Sequence, residues 1–244
     1  MSHDITFFDL PSKGKSACWS LNPWKARLVL NYKNLPYKTQ WIEYPDVAPT
    51  FKSYGIPANS PELNPNAEYS IPAAQINGQY IMDSLSIAHT LEDLQPEPSL
   101  HLNSEYVGRT QEAILKLWGQ LAPIAMHRIP DMLLNPCSAQ YFQETRTKRF
   151  GMSLAEFAKS DKAENAWPGA QPILEEIKTI LHENSGGPYV LGNKPSFADF
   201  ILAGWWRFTE LLDNDGDLHG RIMQFDDGFL EHYDACKKWM ERVD

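Results

Sequence analysis

The chain reads as an α/β segment followed by an all-helical segment. Three observations point to that class. Within the first 44 residues an apolar run, an amphipathic run and a second strand-like run follow one another, the order of a strand–helix–strand unit. Asn77-Gly78, flanked by β-prone stretches, is a strong hairpin signal. Beyond the proline-rich Gln95-Pro96-Glu97-Pro98-Ser99 the chain reads as helix after helix.

Taken in order, Ile5-Thr6-Phe7-Phe8-Asp9-Leu10 is mostly apolar and alternates poorly, as in a strand buried on both faces. The first helix is expected over 23–33. Asn22 is a good N-cap type, Pro23 suits the first helical position, and the residue before a proline is pushed out of the helical region. Trp24, Leu28 and Tyr32 share one face, and Asn34-Leu35-Pro36 ends the helix. Residues 37–44 alternate as a second strand, and the unit should cross over right-handed. From 45 to 69 the chain is loop-like, punctuated by Pro45, Pro49, Pro57, Pro61 and Pro65, with one short helix around 50–54. Residues 70–76 and 79–82 form the hairpin arms. Asp83-Ser84 then starts a helix with Leu85, Ala88, Leu91 and Leu94 on one face.

The break at 95–99 separates two expected domains, 1–95 and 103–244. The second should hold helices over 103–121, 141–157, 168–183 and 229–240, with Pro123, Pro130 and Pro136 interrupting between the first two. In the first, Ile114, Leu117, Trp118 and Leu121 point inward. Ser196-Phe197-Ala198-Asp199 has the form of a capping box with Asp in place of Glu. It opens the apolar run 200–206, expected as a buried central helix, and Asp199 is read as structural.

Composition bounds the function. The chain of 244 residues is 43% hydrophobic and 12% aromatic, enough for a substantial core. A net charge of −9 leaves no basic footprint for nucleic acid and does not favour an anionic membrane. No apolar run approaches the ~18 residues of a membrane span. Met1-Ser2-His3-Asp4 leads into the first strand with no apolar leader between. Three widely spaced cysteines, Cys18, Cys137 and Cys236, give neither a disulfide framework nor a zinc pattern, so a reducing, cytoplasmic setting is expected. Gly14-Lys15-Ser16 lacks the first glycine of a phosphate loop. The Asp213–Asp217 stretch has its glycine misplaced for calcium and Gln224 where a bidentate Glu is needed. No metal is expected.

Ser20 should lie on the turn before the first helix, where free N–H groups and the positive dipole end favour an anion. A strand, a loop carrying a small nucleophile-type residue and a helix N-terminus are how a thioredoxin-like fold presents a reactive sulfur. With serine in that place the sulfur would come from a ligand. The plain alternative is a turn serine. Cys18 is a competing nucleophile that would form mixed disulfides, set against the ordinary reading of a buried, inert thiol.

The run S-x-N-x-W-K-x-R-L-V-L-N-Y-K-x-L-P-Y-K-T over residues 20–39, followed by Glu43-Tyr44-Pro45-Asp46-Val47, resembles the N-terminal domain of cytosolic glutathione transferases. The likeness is to the serine-type, etherase-related fungal class, fungal-specific class A. It covers the first ~95 residues well and the rest in outline. It implies a thioredoxin-like glutathione-binding domain, a helical substrate-binding domain, glutathione as co-substrate and a homodimer.

The resemblance also implies roles. Ser20 would contact the glutathione sulfur and stabilise its thiolate. Asn22 would offer its amide to the thiolate or spend it on capping. Ile71-Pro72 would be the cis-proline step whose backbone pairs with the extended peptide. Asp83 would face the γ-glutamyl ammonium, and Ser84 with the helix amides its carboxylate. Lys52 would meet the glycyl carboxylate or lie solvated, and Trp41 would line the same end. Leu21 and Pro23 depart from the family pattern, which has a proline and a small polar residue there. Candidate walls for an apolar or aromatic second substrate are Trp19, Trp24, Trp118, Met126 and Phe150. The implied function is a transferase whose thiolate attacks an apolar electrophile, by aryl ether cleavage or by conjugation in detoxification or biosynthesis. A glutathione-dependent isomerase or lyase of a secondary-metabolite pathway, and a ligand-binding protein without turnover, are the alternatives.

Overall fold

A computed structural model describes residues 4–62, 64 and 67–244. Met1, Ser2 and His3, ahead of the first strand, and Pro65 of the long loop lie outside the described residues. The first half runs β1 (Ile5–Asp9), α1 (Leu21–Tyr32), β2 (Lys38–Trp41), α2 (Val47–Ser53), β3 (Ala73–Ile76), β4 (Gln79–Met82) and α3 (Ser84–Leu94). The sheet order is β2-β1-β3-β4, with β1 parallel to β2 and antiparallel to β3. Ile76 pairs with Gln79 around Asn77 and Gly78, which both take positive φ (50° and 86°), the conformation a two-residue hairpin of this hand needs.

The two faces of the sheet are covered by different helices. Phe8 points toward α2, with Phe51 edge-on at 5.5 Å and Tyr80 at 6.1 Å. Phe7 points the other way, toward α1, where Arg27 lies 5.0 Å over its ring. α1 is buried on every side from Pro23 to Leu30, because it is packed between this face and the helical half. It starts two residues earlier than the sequence suggests, with Ser20 rather than Asn22 as the N-cap. Pro23 falls at the third helical position, where its missing N–H is still one of the donors without an intrahelical acceptor. β2 is shorter than expected, because Tyr44–Asp46 turns as a 3-10 segment into α2.

The helical half runs α4 (Glu105–Ala125), α5 (Ile129–Leu133), α6 (Pro136–Phe150), α7 (Leu154–Phe157), α8 (Asp161–Glu164), α9 (Ala166–His182), α10 (Phe197–Leu211), α11 (His219–Met223) and α12 (Asp227–Cys236). α4 passes through Pro123 and ends two residues later. The stretch 141–157 is not one helix. α6 begins at Pro136 and stops at Gly151, in the left-handed region at φ 70°, and α7 opens on a Ser153/Glu156 capping box.

α10 is the buried centre, as its composition predicts. Asp199 accepts the backbone N–H groups of Ser196 and Val190 and the Ser196 hydroxyl, each at 2.7 Å. His232 completes the network, with Nε2 3.1 Å from Asp199 and Nδ1 accepting the Trp206 indole N–H at 3.2 Å. Gly204 lets α10 reach α1. A Cβ there would stand 3.2 Å from the Leu21 carbonyl oxygen and 3.3 Å from the Trp24 Cβ.

Two polar clamps tie the first half to the chain beyond it. Buried Lys33 pairs with Glu92 at 2.6 Å and donates to the Pro98 carbonyl at 2.9 Å, across the connecting segment. Glu43 accepts from Asn135 at 2.7 Å and from the Ser138 hydroxyl, which in turn accepts the Tyr44 N–H at 2.9 Å. No helix among the described residues is long and apolar enough to cross a membrane, and they contain no cluster of metal-ligating side chains.

Candidate functional site

One end of the sheet gathers most of the sequence-predicted residues. Phe8 of β1 pairs with Ala73 of β3, and Ala73 pairs with Met82 of β4. The C-terminal end of β1, the N-terminal end of β3 and the start of α3 therefore meet. The loop from β1 delivers Ser20 to the N-terminus of α1. Ser20 has extended backbone (φ −82°, ψ 142°), and its carbonyl accepts the Trp24 N–H at 3.1 Å. Its hydroxyl accepts no capping N–H, and among the described residues its O–H donates to no acceptor. Asn22 lies exposed in the first turn and is not the N-cap, so the expected competition between capping and ligand is absent.

The loop is held from several sides. Lys13 donates its backbone N–H to Leu133 at 2.8 Å, Gly14 to Asn135 Oδ1 at 2.9 Å, and Cys18 to Val243 at 2.9 Å. The Cys18 side chain is buried against Asp9. Burial first, and the Asp9 carboxylate next, push its thiol well above the ordinary thiol range. A thiol held protonated in this way is not a nucleophile near neutral pH. The mixed-disulfide reading of Cys18 is set aside on that ground.

The Ile71–Pro72 bond is cis, as the resemblance implies. Among the described residues neither the N–H nor the C=O of Ile71 has a hydrogen-bond partner, whereas the Pro72 carbonyl accepts the Asp83 N–H at 3.2 Å. Asp83 stands at φ 79° and caps α3. Its Oδ1 accepts the N–H groups of Leu85 (2.9 Å) and Ser86 (3.1 Å), which leaves Oδ2 uncommitted. Ser84 is buried, and its hydroxyl bonds no other described residue. This end of the sheet thus offers an extended backbone edge, a carboxylate, a hydroxyl and a helix N-terminus.

Other expected residues lie elsewhere. Trp41 pairs in register with Asp9 and faces α1, where the Arg27 guanidinium lies 5.4 Å over its ring. Its neighbour Gln40 faces α2 and donates to the Tyr54 hydroxyl, so Trp41 and Lys52 sit on opposite faces of the sheet and do not line one end. Lys52 is exposed on α2, 3.6 Å from Glu68 and 5.5 Å from the Tyr69 ring centroid, a pair already partly satisfied in solvent. Trp24 is 0% exposed, Trp19 2% and Met126 7%. All three are core, which corrects their reading as substrate walls. Trp118 and Phe150 are half-buried. Trp118 packs edge-on to Trp205 and Phe208, and Phe150 stacks on Phe157.

Sequence reasoning missed the charges on α1. Lys25 and Arg27 are both buried, two residues apart in a helix with no other charged side chain. The available signal was their place inside an apolar run, with an acid, Asp9, ending the neighbouring strand.

Comparison with known proteins agrees with this geometry. Residues 19–94 match the model of the glutathione S-transferase N-terminal domain, and residues 109–239 that of the glutathione S-transferase C-terminal domain. A glutathione S-transferase-like protein of Aspergillus flavus, ustS, is 32% identical, over 97% of this chain and 91% of its own. A glutathione S-transferase of Ceriporiopsis subvermispora, solved in complex with glutathione, superposes with a TM-score of 0.83 at 29% identity and covers 98% of each chain. The transferase GSTFuA3 of Phanerochaete chrysosporium gives 0.84 at 28%, over 99% of this chain and 98% of that one.

Proposed function

The chain belongs to the glutathione S-transferase family, and from that membership we propose that it binds glutathione at the end of the sheet marked by Ile71, Asp83 and Ser84 and activates its thiol at Ser20. The observation that carries the reading is a set of unspent groups. The Ile71 backbone can pair with an extended peptide like an added strand. The Asp83 carboxylate and Ser84 hydroxyl suit an amino-acid head group at a helix N-terminus. The Ser20 hydroxyl, free of capping, can donate to a sulfur beside the α1 N-terminus, and both influences favour thiolate over thiol. Asn22, exposed one turn position on, can add an amide donor.

The thiolate then attacks an electrophilic carbon of an apolar or aromatic substrate. A sulfur–carbon bond forms, and an aryl oxide or comparable leaving group departs with its electron pair and takes a proton from solvent. Aryl ether cleavage and conjugation are the two versions, with a homodimer as the working form and the cytoplasm as the setting. Most of the rate gain would come from thiolate stabilisation and positioning.

A calorimetric titration with glutathione near neutral pH, followed by turnover assays on aryl ethers and activated aryl halides, tests the reading. Binding with turnover supports it. Binding without turnover on any electrophile leaves a ligand-binding protein. Absence of binding overturns the assignment of this end of the sheet.

A further inference from the structure

Beyond α12 the chain turns back onto the first half. Lys237–Trp239 is a 3-10 turn, and the Trp239 ring packs edge-on against Tyr32 of α1 at 5.1 Å and Phe200 of α10 at 5.6 Å. Residues 239–244 then meet α1, the residue before β2 and the loop that carries Ser20. Asn31 donates its amide to the Trp239 carbonyl at 2.7 Å and to the Arg242 carbonyl at 3.2 Å, while its Oδ1 accepts the Tyr37 hydroxyl at 2.9 Å. Arg242 donates to the Tyr37 carbonyl at 2.7 Å, lies 3.7 Å from the Tyr37 ring centroid, and meets the Asp244 carboxylate through Nε at 3.1 Å. The Asp244 main-chain oxygen accepts from Arg27. Val243 thus stands between two tethered residues, and its carbonyl accepts the Cys18 N–H at 2.9 Å. Cys18 is 4% exposed, and a buried amide N–H left without an acceptor is costly. The loop therefore takes its acceptor from a segment that follows the last helix of the other half.

We propose that residues 239–244 position Ser20 for the thiol chemistry, with Arg242 and Asn31 as the residues that hold the segment in place. The proposal rests on the reading of Ser20 above and adds to it what fixes the serine. The Ser20 hydroxyl accepts no capping N–H and donates to no described acceptor, so the backbone on either side decides where it stands. On the far side α1 holds it, because the Trp24 N–H bonds the Ser20 carbonyl at 3.1 Å. On the near side the hold is the Val243 carbonyl on Cys18, two residues before Ser20. Without that acceptor the stretch from Cys18 to Ser20 can shift, and a displacement of about 1 Å at a reacting group costs up to about 10²-fold in rate. Arg242 acts at a remove. Among the described residues its side chain bonds Tyr37 and Asp244, and none of Ser20, Ile71, Asp83 and Ser84.

The experiment is a double-mutant cycle between Arg242→Ala and Ser20→Ala, read as kcat on an activated aryl halide at saturating glutathione, as glutathione affinity, and as the pH at which the bound thiol ionises. Arg242→Ala alone should lower kcat by about tenfold, raise the pH of thiol ionisation and leave glutathione affinity within about threefold. In the Ser20→Ala background the same change should alter kcat by less than about twofold, because the group that it positions is already gone. Arg242→Lys, which keeps a donor for the Tyr37 carbonyl, should recover part of the loss. The Arg242 side chain is 39% exposed, and a melting temperature close to that of the wild type shows that the loss is not unfolding. If Arg242→Ala does not fold, Asn31→Asp makes the same comparison, since it keeps the acceptor for Tyr37 and withdraws both donors from the segment. An equal loss of kcat in both backgrounds, or no loss in either, overturns the proposal and leaves the glutathione site standing. A wild type that binds no glutathione overturns the glutathione reading, and this proposal with it.

Discussion

Asp9 and Arg27 form a salt bridge of 2.8 Å with both side chains wholly shielded from solvent. The pair closes the loop that carries Ser20. Asp9 ends β1 and accepts the Leu10 N–H at 2.7 Å, while Arg27 lies on the helix that the loop enters. Arg27 also donates to the Tyr37 hydroxyl at 3.2 Å and Thr39 Oγ1 at 3.3 Å, between the rings of Phe7 and Trp41. Burial raises Asp9 above the ordinary carboxyl value, with Arg27 pulling against it, so the acid depends on its partner for its charge.

Removal of one partner should therefore cost more than removal of both. Arg27→Met should destabilise by about 3–5 kcal/mol, because it leaves a buried carboxylate without a counter-charge. Asp9→Asn combined with Arg27→Met should recover part of that loss. Urea unfolding of the two variants compares them directly. Equal losses would mean that Arg27 acts through packing alone.

Cys18 should be chemically silent in the native protein. Its thiol is buried and held protonated, whereas Cys137 is exposed on α6. Brief maleimide treatment near pH 8 should modify Cys137 and leave Cys18 and Cys236 intact, as read by peptide mass analysis. Cys18→Ala should keep turnover within about twofold, since an unreactive thiol contributes only packing. Rapid native modification of Cys18 would revive it as a nucleophile.

Ser20→Ala should lower kcat by about 10²–10³, the usual cost of one donor to a developing or resident anion, with glutathione affinity changed less than about threefold. The bound thiol should lose its proton at higher pH in the variant, visible as a rise in the thiolate absorbance titration. Turnover and thiol titration both unchanged would remove Ser20 from the mechanism.

Asp199→Ala should be among the most damaging changes outside the site. It strips acceptors from the Ser196 N–H and hydroxyl, the Val190 N–H and the His232 ring, all in the core. Each buried donor left unmet costs about 1–3 kcal/mol, so the sum exceeds the margin of many domains. Soluble, folded expression of this variant at wild-type level would contradict the role assigned to the network.

The fold was legible where local chemistry decides structure. Asn77-Gly78 specifies its turn through positive φ, Ser196 and Asp199 cap α10, and the apolar run after them has no alternative to burial. Boundaries failed where tertiary contacts override local preference. Ser20, not Asn22, caps α1, because the loop that carries it is pinned by Leu133, Asn135 and Val243, all distant in sequence. The candidate site was legible as a placement wherever local backbone sets a residue's position: the Ile71–Pro72 bond is cis, and Asp83 caps the helix that Ser84 opens. It was not legible for aromatic walls, since Trp19 and Trp24 look alike in sequence whether they face a ligand or the core. Nor was the burial of Lys25 legible, since it comes from α1 being packed between the sheet and the helical half.

Lys25 also makes stability depend on pH in a direction that can be worked out. Burial lowers its pKa from the ordinary 10.5 to about 8 in the folded chain. Between those two values the unfolded chain holds more protons than the folded one, so the contribution of this residue to stability rises with pH across the window. The gap corresponds to about 3 kcal/mol. Below about pH 8 both states hold the proton, and the wild type bears the full cost of a buried cation. Lys25→Met removes the titration. The variant should be the more stable protein near pH 7, and its advantage should shrink steadily toward about pH 10. Tyrosines and cysteines that titrate in the same range are common to both proteins and cancel in the difference. Urea unfolding of wild type and Lys25→Met at four pH values gives that difference directly. A difference constant with pH would show that the ammonium is solvated in the folded chain.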